Sequence, residues 1–525
     1  MGDVIYDSDG FRSMFRECDI RGRVDELELN DSSVYRIISA YARFLRERGI
    51  LRAVVGYDNR RCSPGFADAS VKALAGQGIH VVFIGLCITP SAYYAQYRYG
   101  CEGLVMVTAS HNPDGWSGFK LGKGYSKTLE PEDVRRIYEY SVATADASSA
   151  GRVVTPSDAC YISPLDAQLE ASSGNRSADP ITGSSDAILI LPGSGAEPAD
   201  SGVTVADDAW SCYVDAVCSR INMGSYKPRI VLDAGNGGAG LFAYEIFQRL
   251  GCVTFQLNCD PDMDYPHYFP NPSELKNRQK LKELVVHPYI RADVGFSFDG
   301  DGDRLGVVDE NGADVWSDII LALLSRQLLE RKPGSTVVYD VKCSKTLHDT
   351  IVKYAGFPVM WKTGHSHIKA KMREMGADLA GERSGHIFFG GDDYYGYDDA
   401  IFAGAKLVEY MSNAGGGISE IVSEMPRCFT SPEIKAGCPD AVKYEVITSI
   451  VGKLKGMYPG KVNDTDGARV DFEHGWGLIR ASSNLPELVL IFEADTMGHM
   501  SEIRDVFRRV AAEYPAIAEE WENDI

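Results

Sequence analysis

Positive charge is scarce in this chain. Fifty-three lysines and arginines face 74 aspartates and glutamates, a formal net charge of −21 at pH 7. Such a surface repels phosphate backbones and anionic bilayers, which argues against nucleic-acid and membrane partners. A phosphate ligand would need a local cationic pocket, so arginines and lysines inside loops become informative. Paired cysteines are also missing. The 12 cysteines are scattered without a CxxC pair, so neither a zinc ribbon nor a disulfide framework is indicated, and a reducing cytoplasm is the expected compartment. No apolar run is long enough to cross a bilayer, and residues 1–15 lack the pattern of a secretory signal. What remains is 44% hydrophobic and 24% charged over 525 residues, an ordinary globular balance that predicts several domains.

Two loops carry the chemistry. Gly103-Leu104-Val105-Met106-Val107 reads as a buried strand. It runs into Thr108-Ala109-Ser110-His111-Asn112-Pro113, and Asp114-Gly115 then signals a turn. A serine at a strand end, beside an imidazole and an amide, sits where parallel α/β sheets bind ligands. A capping turn without chemistry is the competing reading of this stretch alone. Val294-Gly295-Phe296-Ser297-Phe298 is a second strand, leading into Asp299-Gly300-Asp301-Gly302-Asp303-Arg304. Carboxylates at alternate positions, with glycines between, can turn toward one point, where a hard divalent cation relieves their repulsion. An EF-hand fits less well: Glu310 falls at its twelfth position, but the sixth, which should be glycine, holds Arg304, and the flanks are strands rather than helices. A small carboxylate set with open positions suits Mg²⁺ acting on a phosphate.

A strand–helix unit recurs along the chain. Strands are expected at 53–58, 81–85, 229–233 and 336–342, and helices at 32–49, 65–78 and 241–250. Asp233 and Asp340 begin equivalent loops 107 residues apart, whereas Asp58 and Asp233 are 175 apart. The excess falls in 146–206, rich in Ser, Ala, Gly, Asp and Pro. It reads as a low-complexity insert with one short apolar run at 188–191. After 431 the pattern changes to a helix at 441–458, then alternating strands at 467–472, 477–482 and 488–493, suggesting an antiparallel sheet.

Together the stretches TASHNP (108–113), DGDGDR (299–304), GERSGH (381–386) and Arg480-Ala481-Ser482-Ser483-Asn484 resemble the α-D-phosphohexomutase superfamily, specifically its phosphomannomutase/phosphoglucomutase group. FRxxDIRG (15–22), LDAGNGG (232–238), DVKCS (340–344) and WKTGHS (361–366) support the match, in the family's order. The resemblance implies three similar mixed-sheet α/β domains and a smaller α+β domain with an antiparallel sheet, around a central cleft. The bounds expected are 1–145 for domain I, 146–206 for the insert, 207–310 for domain II, 311–430 for domain III and 431–525 for domain IV. It implies reversible phosphoryl transfer between C1 and C6 of mannose or glucose phosphates, through a phosphoserine and a hexose 1,6-bisphosphate.

Residue by residue, the resemblance makes Ser110 the phosphoryl carrier. Asp299, Asp301 and Asp303 would ligate Mg²⁺ together with its phosphate. His111 and Lys120 lie near Ser110 for proton handling, and Arg16, Arg21 and Arg304 match arginines of the reaction centre. His386 matches a proposed base. Glu382 and Ser384, alternating on an extended loop, would grip two vicinal hydroxyls, and Lys342 and His365 would reach the sugar. Arg480, Ser482, Ser483 and Asn484 would hold the non-reacting phosphate. Three departures stand out. Cys18 replaces an aromatic residue of the N-terminal motif, Leu485 replaces a small polar residue, and Ile491 stands where some members have Arg, which would weaken or redistribute phosphate binding. The alternatives are a phosphoglucosamine mutase and a non-catalytic sugar-phosphate sensor. Small hexose phosphates are the expected partners of a monomer or homodimer.

Overall fold

The computed structural model describes residues 9–148, 188–189, 202–426, 428–483 and 485–522. Most of the 146–206 insert, and Asn484, lie outside them. The chain divides into two compact units: Met1–Val308 with Tyr397–Asn413, and Asp309–Gly396 with Ala414–Ile525.

The first unit contains two sheets. One is mixed and runs in the order Ile20–Arg23, Trp116–Lys123, Gly103–Val107, Arg52–Tyr57, His80–Leu86, Val203–Val205, Ile188–Leu189. Its centre is parallel and its edges antiparallel. The helix Asp31–Arg46 packs on it. Asn30 accepts from the Ser33 N–H while the Ser33 hydroxyl accepts from the Asn30 N–H, a closed capping box. Val34, Ile37, Ile38, Tyr41, Phe44 and Leu45 recur at helical spacing and are buried. The helix stops at Arg46, short of the expected 49, and Gly49 takes φ +73° in the turn that follows. The apolar run at 188–191 supplies a strand at Ile188–Leu189. Val203–Val205, inside the stretch read as insert, is also a strand: it pairs in parallel with His80–Leu86. Three residues are too few to show periodicity, and their partner lies more than a hundred residues away.

The second sheet orders Leu305–Asp309, Val294–Phe298, Arg229–Asp233 and Val253–Leu257. The helix Ala400–Ala414, late in the chain, packs in this unit and is apolar nearly all round. Tyr213 Oη donates to both Asp399 carboxylate oxygens at 3.1 Å, and the Asn222 N–H donates to Glu409 at 2.9 Å.

The second unit also holds two sheets. One orders Phe357–Trp361, Thr336–Asp340, Leu379–Gly381, Ile387–Phe389, with the last strand antiparallel. The other is antiparallel throughout: Val462–Asn463, Ala468–Asp471, Gly475–Ala481, Glu487–Ala494, Ile434–Gly437, Trp521–Glu522. The helices Lys443–Met457 and Met497–Ala511 bury Ile447, Ile450, Leu454, Ile503 and Phe507 against it. No described helix is long and apolar enough to cross a membrane.

Candidate active site

In the first unit the strand Gly103–Val107 ends at the serine loop. Ser110 adopts φ +50°, a conformation that costs a non-glycine residue about 1–3 kcal/mol and persists only where its surroundings impose it. Here they do. The Ser110 N–H donates to Thr108 Oγ1 at 2.8 Å. The buried Arg60 guanidinium donates to four loop carbonyls: Ser110 at 2.9 Å, Asn112 at 2.6 Å, and Pro113 and Trp116 at 3.2 Å. Arg21 adds bonds to the Ala109 carbonyl at 3.3 Å and to Asn112 Oδ1 at 2.8 Å, and is itself held by Asp19 at 2.7 Å. The Arg16 N–H donates to the Asp19 carbonyl at 3.0 Å and closes the turn that carries Asp19.

The aspartate loop closes on this serine. Ser110 Oγ donates to Asp299 Oδ2 at 2.9 Å and lies 3.2 Å from His111 Nδ1. Asp299 Oδ1 accepts the N–H groups of Asp303 at 3.0 Å and Arg304 at 3.1 Å, and the Arg304 side chain stands 3.9 Å from Asp299. A Cβ on Gly300 would lie 2.8 Å from the Ser110 carbonyl oxygen, and Gly302 has φ +73°; the two glycines thus permit the close approach and the turn. Asp299, Asp301 and Asp303 are fully buried, and their oxygens come within 4.8 Å of one another. Asp301 Oδ2 accepts Thr89 Oγ1 and Lys120 Nζ, each at 2.7 Å, while Asp301 Oδ1 is buried without a donor. Lys120 Nζ also donates to Asp303.

Burial, followed by the charges of Asp303 and Asp301, pushes the Asp299 carboxyl well above its ordinary value. Burial would lower the Lys120 ammonium, but Asp301, Asp303, Asp398 and Asp299 hold it well above its usual range. Three converging carboxylates, one with an undonated buried oxygen, fit a hard divalent cation with oxygen ligands.

The loops expected to hold the sugar and its distal phosphate belong to the second unit. The Glu382 N–H donates to the His386 carbonyl and the Gly385 N–H to the Glu382 carbonyl, with Gly385 at φ +107°. The loop is therefore a tight turn, not the extended segment expected. Glu382 and Ser384 meet because Ser384 Oγ donates to Glu382 Oε2 at 3.0 Å, and Glu382 Oε1 takes the Gly364 N–H at 3.1 Å. Burial raises the Glu382 carboxyl above its ordinary value. The His365 and His386 rings lie 5.6 Å apart. Lys342 Nζ donates to Glu433 at 2.7 Å. Burial opposes ionisation of Glu433, but Lys342, Arg383 and Arg480 outweigh it and draw the carboxyl down to about 2.

Arg480 donates to Asp466 at 2.9 Å, and the same carboxylate oxygen takes the Thr363 N–H at 3.0 Å. The arginine loop and the WKTGHS loop are thus tied through one oxygen. Ser482 and Ser483 follow Arg480 in the loop that ends the strand Gly475–Ala481. Lys443 Nζ holds the Ser482 carbonyl at 2.5 Å and the Leu485 carbonyl at 2.9 Å, and the Leu485 N–H donates to Ser482 Oγ at 3.3 Å. Leu485 therefore shapes this turn through its backbone. Ile491 is not in the phosphate loop at all. It lies in the strand Glu487–Ala494, buried with Val341, Trp476 and Leu478.

Residues to which no role was assigned do much of the fixing. Arg383 is buried against Asp318 at 3.0 Å, donates to the Ser431 carbonyl at 3.1 Å and to Thr430 Oγ1 at 3.2 Å, and stacks over Trp316. Asp318 also accepts the Ser344 N–H at 2.8 Å. Arg469 holds the Val341 and Cys343 carbonyls, each at 2.7 Å, from the antiparallel sheet. Thr89, Arg60, Asp318, Glu433, Lys443, Asp466 and Arg469 were not read as site residues. Their local sequence is that of any polar position, and their partners lie tens of residues away. Arg383→Met should destabilise this unit by about 3–5 kcal/mol, because Asp318 is left buried and unpaired. Urea unfolding checks this, and Arg383→Lys should recover part of the loss.

A serine against a buried carboxylate cage, on α/β sheets of this kind, is the arrangement that a metal-assisted group-transfer enzyme would use. Residues 12–147, 211–312 and 316–429 match domains I, II and III of the family "Phosphoglucomutase/phosphomannomutase", and residues 433–510 match its C-terminal domain. A phosphomannomutase/phosphoglucomutase of Pseudomonas syringae is 34% identical over 495 residues, 94% of either chain. A phosphoglucomutase of Neisseria gonorrhoeae is 32% identical over 96% of this chain and 98% of its own. The crystal structure of a phosphoglucomutase/phosphomannomutase family protein from Burkholderia thailandensis superposes with a TM-score of 0.79 at 30% identity, covering 96% of this chain and 98% of that one. The chain belongs to the phosphoglucomutase/phosphomannomutase family of the α-D-phosphohexomutases, which are isomerases of carbohydrate metabolism.

Proposed function

We propose that the protein interconverts hexose 1-phosphates and hexose 6-phosphates, with mannose and glucose as the sugars. It does so through a phosphoryl group carried on Ser110 and a hexose 1,6-bisphosphate intermediate. The observation that carries the reading is Ser110 Oγ hydrogen-bonded to one carboxylate of a buried three-aspartate cage. Asp299, Asp301 and Asp303 would hold Mg²⁺, which supplies charge neutralisation for the phosphoryl oxygens.

The free hydroxyl oxygen of the bound monophosphate attacks the phosphorus on Ser110. A P–O bond to the sugar forms, the bond to Ser110 Oγ breaks, and the sugar hydroxyl gives up its proton. The bisphosphate then presents its other phosphate, and the reverse exchange recharges the serine. Arg21 and Arg60 fix the loop so that Oγ does not wander, worth orders of magnitude in a positioning-dominated reaction. His111, 3.2 Å from Ser110 Oγ, handles protons on the serine side, while Lys120, held as the ammonium against Asp301 and Asp303, supplies positive charge there. His386, beside Glu382, is the candidate base for the sugar, and Arg16 and Arg304 bind phosphoryl oxygens. Glu382 and Ser384 grip two vicinal hydroxyls, with Lys342 and His365 beside them. Arg480, Ser482, Ser483 and Asn484 hold the distal phosphate, for which Arg480 exchanges Asp466. The four segments proposed to share this work are 1–145, 207–310, 311–430 and 431–525. The eleven described free cysteines favour a cytoplasmic setting.

Mannose and glucose differ at C2, whereas the gripped hydroxyls lie at C3 and C4. Coupled assays with Mg²⁺ and trace bisphosphate should give kcat/KM for mannose 1-phosphate and glucose 1-phosphate within about tenfold, since a single unengaged hydroxyl carries little discrimination. Conversion of neither overturns the reading. Glu382→Gln should raise KM for both sugars at least about tenfold, the cost of a charged hydrogen bond; equal KM values would remove Glu382 from the sugar grip.

A further inference from the structure

At one corner of the C-terminal antiparallel sheet, three elements bring two imidazoles and a carboxylate together. His474 sits in the turn between the strands Ala468–Asp471 and Gly475–Ala481. Asp495 follows the strand Glu487–Ala494, and His499 lies in the first turn of the helix Met497–Ala511. His474 Nδ1 is 3.2 Å from Asp495 Oδ2, and His499 Nδ1 is 2.5 Å from Asp495 Oδ1. The rings stack with centroids 4.1 Å apart and planes inclined by 9°. The backbone holds the corner independently: the Asp495 N–H donates to the His474 carbonyl at 3.0 Å, and the His499 N–H to Thr496 Oγ1 at 3.2 Å. The candidate ligand atoms all lie within 4.8 Å of one another. Glu473 and Glu502 add negative charge near His499.

We infer that His474, Asp495 and His499 form a second, non-catalytic metal site for a borderline divalent ion, Zn²⁺ foremost. Two imidazole nitrogens and one carboxylate oxygen are a donor set that zinc accepts at about 2.0–2.2 Å. Ligands on one such ion stand about 3–4 Å apart and imidazole lone pairs lie in the ring plane, so the trio needs to close by about an ångström and the two stacked rings must turn out of parallel until both planes meet at the ion. His474 and Asp495 have side chains 48% and 53% exposed, which leaves room for that movement. Three protein ligands leave the remaining positions to water, so the ion is exchangeable. Nitrogen donors select against Mg²⁺, which prefers an all-oxygen shell, so this corner and the aspartate cage discriminate between metals. A bound ion pins a turn, a strand end and a helix start, and so stabilises the folded state by mass action.

The test uses full-length protein, stripped with chelator and then saturated with Mg²⁺ to keep the aspartate cage occupied. Zn²⁺ is titrated calorimetrically, and Co²⁺ by its visible absorption, into wild type, His474→Gln and the His474→Gln/His499→Gln double variant. Wild type should bind one zinc more than the double variant. The site should weaken at least about tenfold in His474→Gln and as pH falls, since the imidazoles must be unprotonated to ligate. Zinc should raise the thermal midpoint of wild type alone, with mutase activity in Mg²⁺ unchanged by either substitution. Equal zinc stoichiometry and equal thermal response in wild type and the double variant would overturn the site and reduce the trio to a hydrogen-bonded corner. Should the double variant fail to fold, Asp495→Asn carries the same comparison.

Discussion

Ser110→Ala should cut turnover by at least about 10³-fold while hexose-phosphate affinity stays near wild type, because loss of a covalent carrier removes the reaction path and not the binding groups. The loop makes this a clean substitution. Arg60 and Arg21 hold the carbonyls of Ser110, Ala109, Asn112, Pro113 and Trp116, and none of those bonds uses the serine hydroxyl. The hydroxyl's own partners are Asp299 and His111, so its loss should leave the fold intact. Calorimetric titration with glucose 6-phosphate alongside the coupled assay separates the two effects. Near-normal turnover in the alanine variant would end the carrier assignment, and lost binding would place the serine among the sugar contacts instead.

Removing the divalent ion should lower activity by about two to three powers of ten, the equivalent of the several kcal/mol that a cation contributes to a developing phosphoryl charge. Mg²⁺ should restore wild type but not Asp301→Asn. The chain itself should stay folded throughout, because Lys120 bridges Asp301 and Asp303 and offsets part of their repulsion. Lys120→Met removes that offset and leaves the carboxylates buried without it. Its stability should then fall by about 3–5 kcal/mol in chelator and recover with Mg²⁺ to a greater extent than that of wild type. Thermal melts of both proteins with and without Mg²⁺ read this directly. An equal Mg²⁺ response in the two would show that Lys120 does not balance the cage, and full activity in chelator would show that no ion is needed.

How much could be read ahead of the coordinates depended on distance along the chain. Asp299, Asp301 and Asp303 declare themselves because two glycines place three carboxylates within one turn, and Ser110 because an apolar strand delivers it. The helix Asp31–Arg46 was legible for the same reason, its cap and apolar face being local. Arg60 carries no such mark. It is one of two adjacent arginines after a strand, and its role exists only once the chain returns fifty residues later with the serine loop. Arg383 carries no mark of its own within GERSGH, and its role exists only once Asp318 and Ser431 close on it. The expectation that Glu382 and Ser384 alternate on an extended segment failed on Gly385, whose positive φ folds the segment into a turn. Ile491 is buried beside Trp476 in a strand that is buried on both faces, which its unbroken apolar run Leu488–Phe492 announces. Local spacing therefore announces the chemistry, and long-range pairs that hold it in place emerge only with the fold.

The central claim is that a phosphoryl group resides on Ser110 during turnover. Metal-loaded protein incubated with glucose 1,6-bisphosphate labelled in its phosphates, quenched and digested, should carry the label on the peptide containing Ser110, and adding unlabelled glucose 6-phosphate before the quench should chase it off. Label that never appears on that peptide, or that sits there and is not passed to sugar, would contradict the account.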